Sequence, residues 1–445
     1  MLNFRLISMT YKIILVFISL QFIDNTHAER LVVHDNEQQA MYILLKSLNI
    51  KEDVFVSNRV EKDVEKYKSY FDMGKRYYQQ FSNGSEVSVI TDTEGYVAKL
   101  VVINSRLTNL NLILPFKRTK ILKLNSSEEI SFLNIERLSK LEELKIVGNG
   151  LGFDGVLDFS SIRNLPSLRR ISCSGTFDLR VDSMRGLTEL ENFECELSNL
   201  YSLKSFKNFR KLKTLKVRVK SSDLNYLVNL GDLETLEIGG VALKNVNAIN
   251  SMPKLKHLKI SDSSVKEINL DGTTKDLEYV RIVDTPIKDL PSFHLFKQLK
   301  NLSITGTEIS VADSIYDLPK LERLVLARNL ELKTVKSLKN LPKLKELKAY
   351  NGGVDEFSTG LLPNLEELTL SKTNITNLPP FHNYPNLREL YLKETKIKSL
   401  KGVEVASNLY RVYTDYDVMK APENAKLLRE LRNNRFKWMK NKTKE

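Results

Sequence analysis

Cysteine is almost absent from the chain: Cys173 and Cys195 are the only two in 445 residues. That scarcity excludes a disulfide-scaffold domain and a zinc site of four cysteines, so burial has to hold the core. Histidine is nearly as rare, with His27, His34, His257, His294 and His382 scattered along the sequence. None has metal-ligand spacing or pairs with a nucleophile and carboxylate, and no glycine-rich phosphate loop precedes a helix. The expectation is a protein that is not an enzyme, with no metal and no cofactor. Long apolar runs are also missing. The longest, Ile13 to Ile23, is about half of the roughly 20 residues needed to cross a bilayer, so no transmembrane segment is expected.

That short run has its own meaning. Arg5 and Lys12 precede it and Thr26-His27-Ala28 closes it with a small residue, the pattern of a secretory signal over residues 1–28 cut after Ala28. The terminal Asn441-Lys442-Thr443-Lys444-Glu445 is too polar for a lipid-anchor signal. The formal charge of +13 is concentrated at one end: residues 426–445 hold eight Lys/Arg against two Glu, a local +6. Such a tail suits an anionic surface or a glycan, whereas export argues against nucleic acid as a partner.

What is abundant is repetition. The frame Leu-x-x-Leu-x-Leu-x-x-Asn/Thr/Ser-x-Ile/Leu fits Leu299, Leu302, Ile304, Thr307 and Ile309, then Leu365, Leu368, Leu370, Thr373 and Ile375, then Leu387, Leu390, Leu392, Thr395 and Ile397. Its first position falls at Val97, Thr119, Leu141, Leu168, Leu190, Leu212, Leu233, Leu255, Leu277, Leu299, Leu321, Leu344, Leu365, Leu387 and Leu409, and ten of the fourteen intervals are 22 residues. These residues resemble the leucine-rich-repeat superfamily, in its short 22-residue class shared by internalin-type bacterial surface proteins and a protein-phosphatase regulatory subunit. The resemblance covers residues 97 to about 418. It implies a curved solenoid with a concave parallel sheet, and says little about the partner.

The physics of the frame leads to the same architecture. Alternation of period two makes a short strand with one apolar face, and identical strands 22 residues apart pair as parallel neighbours. Between strands the apolar residues step by three, as in Leu200, Leu203, Phe206, Phe209 and Leu212, which suits 3₁₀ or extended returns on the convex side. Pro166, Pro253, Pro319, Pro342, Pro363 and Pro385 all lie two residues before a frame start, where no ladder donor is needed. The fold class expected is therefore an α/β-type, mostly β, repeat solenoid of about 15 turns over residues 97–418, with helical caps at both ends. Two irregularities stand out. The turn between Leu141 and Leu168 is five residues longer and contains Gly148, Gly150, Gly152 and Gly155, which suggests a protruding loop. Cys173 and Cys195 occupy the same inward position in adjacent turns; buried free thiols are the preferred reading, a disulfide the geometric alternative.

An open stack needs its ends covered. Over residues 29–96, Asp35 and Gln38 frame a helix containing Ala40, Met41, Ile43, Leu44, Leu45 and Leu48, followed by a hairpin turning at Asp92-Thr93-Glu94-Gly95. This arrangement resembles the N-terminal cap of plant-type extracellular repeat proteins. Over residues 419–445, Pro422 opens a helical pattern with Ala425, Leu427, Leu428, Leu431, Phe436 and Trp438, ending in the basic tail.

Function then has to come from the strand face. Residues beside the inward leucines project into the concave side and align in columns from turn to turn. Tyrosine and arginine, the side chains most enriched at interface hot spots, gather there at Tyr279, Arg281, Arg323, Tyr350, Tyr391 and Tyr413. The expectation is a secreted, extracellular protein that binds a protein partner through these residues, as a host-interaction or adhesion factor. The alternatives are a phosphatase-regulator-like scaffold, or a structural surface or wall component tethered by the basic tail. Asn-x-Ser/Thr sequons occur at Asn83, Asn125, Asn301, Asn374 and Asn441.

Overall fold

The structure, a computed structural model, describes residues 35–47, 86–92, 94, 96–103, 107–126, 130–148, 156–175, 178–336, 338–424 and 426–434 except 428 and 432. The proposed signal, His34, three of the four loop glycines (Gly150, Gly152, Gly155), Trp438 and most of the basic tail lie outside the described residues. The chain forms two compact units, residues 1–212 and 213–445.

In the first unit the helix Asp35–Ser47 places Met41 and Leu44 in the core at 2% and 0% exposure. Its Glu37 is buried, and the carboxylate accepts the Val97 backbone N–H at 2.7 Å. The strand Glu86–Thr91 pairs antiparallel with Val97–Ile103, and the Asp92 carboxylate closes the hairpin by accepting the N–H groups of Glu94 and Tyr96. From Val97–Ile103 the sheet becomes parallel through Ile121–Ser126, Glu143–Gly148, Arg170–Ser174 and Asn192–Leu200. One feature has no signature in the repeat frame: Val156–Asp158 pairs with Asp178–Arg180, which pairs with Asn199–Leu200, a second parallel ladder after the expanded turn.

The cysteines do not stay apart. Cys173 and Cys195 are bonded as a disulfide, with a Cα–Cα distance of 4.5 Å. This corrects the free-thiol expectation: parallel neighbours in register bring identical strand positions within the span a disulfide requires.

In the second unit the parallel ladder runs through Thr214–Val219, Thr235–Gly240, His257–Ser263, Tyr279–Val283, Asn301–Thr305, Arg323–Val325, Glu346–Lys348, Glu367–Thr369, Glu389–Tyr391 and Arg411–Tyr413. The frame residues point inward: Leu299, Leu302, Ile304 and Ile309 are all at most 1% exposed. Each such burial contributes roughly 1.5–3 kcal/mol against leaving the side chain in water, repeated turn after turn. The returns are 3₁₀ or extended, as the step of three required. Asn247–Ser251, Phe293–Leu295, Phe381–Asn383 and Val403–Val405 are single 3₁₀ segments, with buried phenylalanines packed edge to face at Phe293–Phe296.

Turn chemistry fills the polar positions of the frame. Asn329, wholly buried, accepts the Thr307 N–H and hydroxyl at 2.9 and 2.8 Å and donates to the Ile304 carbonyl at 2.9 Å. At other threonine positions of the frame the hydroxyl donates within its own turn, as Thr373 does to the Leu370 carbonyl at 2.6 Å. After Arg411–Tyr413 come a short helix Tyr416–Lys420, a 3₁₀ turn Pro422–Asn424 and helical residues within 426–434. Asn434 donates its amide to the Ser407 and Leu409 carbonyls, binding this segment to the last turn.

Candidate functional site

All six residues singled out in the sequence lie in the second unit, and their alignment follows from ladder register. One column runs His257, Tyr279, Asn301, Arg323, Glu346, Glu367, Glu389 and Arg411. Two residues further along each strand, a second column runs Lys216, Glu237, Lys259, Arg281, Ser303, Val325, Lys348, Thr369, Tyr391 and Tyr413. Both lie on the face opposite the buried leucines. Tyr350 continues the alternation two residues past Lys348, and its carbonyl accepts the Arg328 N–H at 2.9 Å.

Electrostatics divide this face into segments. Glu237 binds Lys216 at 3.3 Å and Lys259 at 3.1 Å. Burial pushes the Glu237 carboxyl up, but the hydrogen bonds and charge of the two lysines outweigh it and hold the group below the ordinary range. Arg323, Glu346, Lys348 and Glu367 form a neutral chain through contacts of 2.6, 3.3 and 2.9 Å. Burial draws the Lys348 ammonium down, and its hydrogen bond to Glu367 more than restores it.

The C-terminal end is an aromatic cluster around one carboxylate. Glu389 accepts the hydroxyls of Tyr391 and Tyr410 at 2.6 and 2.9 Å and the Arg411 guanidinium at 2.8 Å. Burial raises the Glu389 carboxyl and these three donors more than reverse the effect. For Tyr391, burial and then the adjacent carboxylate act together, pushing the phenol up to about 12. Its ring stacks on Tyr413 at 4.7 Å and 12°. A second stacked pair, His257 on Tyr279 at 4.4 Å and 8°, lies nearer the start of the unit; burial keeps the imidazole below its usual pKa.

The structure thus brings together Tyr391 and Tyr413, and Tyr279 with Arg281 on one strand, while Arg323 is spent on Glu346. Tyr279, Tyr350 and Tyr413 are 37%, 38% and 46% exposed. The sequence did not single out Tyr410 or the hub role of Glu389, because Tyr410 occupies a frame position where most turns carry a charged residue. Nor did it reveal bridges that span two turns. Arg218 reaches Asp262 at 2.6 Å, and Arg328 reaches Asp284 at 2.8 Å across Gly306. Among the described residues, no group of three or more His, Cys, Asp or Glu could hold a metal ion, and no helix is long and apolar enough to cross a membrane.

Residues 363–404 match the family model described as Leucine Rich repeats (2 copies). No curated protein matches the chain in sequence. Among solved structures, an internalin from Listeria monocytogenes is similar over 72% of this chain and 82% of its own, at 18% identity and a TM-score of 0.46. A leucine-rich-repeat protein from Leptospira interrogans is similar over 74% and 92%, at 19% identity and 0.47. TLR13, in its complex with ssRNA13, is similar over 73% of this chain and 53% of its own, at 16% identity and 0.51. At such identity the likeness speaks of the fold alone.

Proposed function

We propose that this leucine-rich-repeat protein is exported and recognises another protein through the open face of its second unit. In this reading residues 1–28 are a cleaved signal, 29–96 and 419–445 close the ends of the repeats, and 97–418 carry them. Tyr279, Arg281, Arg323, Tyr350, Tyr391 and Tyr413 supply the contacts. The basic tail adds attraction to an anionic surface or glycan.

The observation that carries this reading is a contrast in pairing. Most charged side chains of the open face are neutralised by neighbours, whereas Tyr279, Tyr350 and Tyr413, in three different turns of that face, stand more than a third exposed. Solubility needs only charge. Rigid rings between pre-paired ions offer contact area that loses little conformational entropy on binding. The disulfide is in keeping with an oxidising compartment.

Two measurements test the reading. Mass spectrometry of secreted and cellular fractions from the source should find a mature protein beginning at Glu29 outside the cell; an intact Met1 in the cytosol would overturn export. A partner cross-linked at the cell exterior and then purified should lose most of its affinity when all six residues are alanine. Unchanged affinity would remove the open face from recognition.

A further inference from the structure

Arg281 differs from every other arginine on the open face of the second unit. Arg218, Arg323, Arg328 and Arg411 each hold a carboxylate. Arg281 is exposed and, among the described residues, has no ion-pair or hydrogen-bond partner. Its direct partner across the parallel ladder is Lys259, so two cations stand side by side on adjacent strands about 4.8 Å apart. Like charges directly opposite each other destabilise a sheet. The remaining neighbours give no relief: Ser303 follows in the same column, and His257, Tyr279 and Asn301 flank it. Of the carboxylates within three residues of it in sequence, Glu278 is bound to Lys300 at 2.6 Å and Asp284 to Arg328.

The column itself indicates what is missing. It alternates Lys216, Glu237, Lys259, with Glu237 bridging the two lysines, and then breaks the alternation at Arg281. A carboxylate lodged between Lys259 and Arg281 would repeat the Glu237 arrangement one step along. We infer that Lys259 and Arg281 are the receptor for an acidic side chain of the protein partner, seated beside the stacked His257–Tyr279 rings. This rests on the open-face reading above and specifies what that face recognises. On either side the charges are already matched, Glu237 by Lys216 and Lys259 and Glu346 by Arg323 and Lys348, so the excess positive charge is confined to this one place and suits one or two carboxylates in a short peptide segment and not a long polyanion. Ser303 adds a hydroxyl donor to the same position, and the exposed Tyr279 ring adds an apolar edge beside the charge.

The test uses the full mature chain and a displayed random-peptide library as the probe. Peptides selected on the wild-type protein are measured against Arg281→Glu, Lys259→Glu, a tail variant with Lys440→Glu and Lys442→Glu, and Tyr391→Ala with Tyr413→Ala. The expected result is a class of peptides containing Asp or Glu that bind Arg281→Glu and Lys259→Glu at least about tenfold more weakly, each factor of ten corresponding to 1.4 kcal/mol. That class should bind the tail variant normally, and changing its acidic residue to Lys should restore binding to Arg281→Glu. The Arg281→Glu protein should also melt no lower than wild type, because the substitution replaces a repulsive pair with an attractive one. Absence of any acidic peptide that separates Arg281→Glu from wild type overturns the inference, as does loss of the acidic class on tail reversal alone. Arg281 is one of the six alanine positions but the other five are not, so affinity lost in the six-alanine protein without any acidic peptide class defeats this inference alone, whereas unchanged affinity there defeats the open-face reading.

Discussion

At the scale of single residues, two glycines and one tyrosine occupy positions whose consequences can be measured. Gly306 has φ +66°, and a Cβ there would overlap the Asp284 carboxylate that Arg328 reaches across the turn. Gly402 has φ +103° with open space around its Cβ position. Alanine at Gly402 should therefore cost only the left-handed backbone penalty of about 1–2 kcal/mol. Alanine at Gly306 should cost that and also displace the bridge, for a total of about 2–3 kcal/mol with an exposed pair contributing little. Urea unfolding of both variants separates the two effects, and equal losses would mean that the bridge is energetically silent. Tyr391 gives a pH signature. Its phenol ionises near 10 in the unfolded chain and near 12 in the folded one, so its contribution to stability is fully present below pH 10 and falls as pH rises toward 12. Melting curves across this range should show wild type losing its advantage over Tyr391→Phe, and ultraviolet titration should show one late tyrosine missing from the variant.

At the scale of elements, the ladder register does most of the positioning, and it explains where sequence reasoning succeeded and where it stopped. The Leu-x-Leu alternation and the step of three were sufficient to locate strands and returns, because both periods reflect which side chains face the core. The open-face columns were legible for the same reason. The two-turn bridges and the sharing of Glu389 by three donors were not legible because they depend on side-chain reach, and the backbone ladder of Val156–Asp158 with Asp178–Arg180 was not because it follows the expanded turn, outside the repeat frame. A further case is the side-chain ladder in which Asn364, Asn386 and Asn408 donate to the Pro342, Pro363 and Pro385 carbonyls of the preceding turns at 2.6, 2.7 and 2.8 Å. The prolines were conspicuous in sequence, and their role as acceptors was not. The disulfide belongs to this scale as well. It closes a loop of 22 residues between neighbouring strands, which by loop-closure entropy contributes about 3 kcal/mol. Non-reducing peptide mapping should recover the Cys173–Cys195 pair, and replacing both by alanine should lower the urea midpoint of the oxidised protein. An unchanged midpoint would mean that the unfolded chain is not constrained by the link.

At the scale of the whole molecule, repetition makes the fold tolerant of losing complete turns and intolerant of losing fractions of one, because each turn is stabilised mainly by its immediate neighbours. Deleting residues 299–320 removes one full period. The Tyr279–Val283 strand would then face Arg323–Val325 with every inward leucine still in phase, and Asp284 would stand one turn from Arg328 in place of two. Circular dichroism and cooperative urea unfolding should both survive, with a modest drop in midpoint. Deleting residues 299–309 removes half a period, turns polar side chains inward and should abolish cooperative unfolding. The full-turn deletion also separates fold from function. It moves Tyr279 and Arg281 about 4.8 Å closer along the ladder to Tyr391 and Tyr413 without altering any of the four side chains. A partner that engages both groups at once depends on that spacing, since simultaneous contact fails once the geometry forbids it. Folding retained with partner affinity lost is the outcome expected of a recognition face. Folding and affinity both retained would confine the partner to one of the two groups, and comparing Tyr279→Ala with Tyr413→Ala would then identify which.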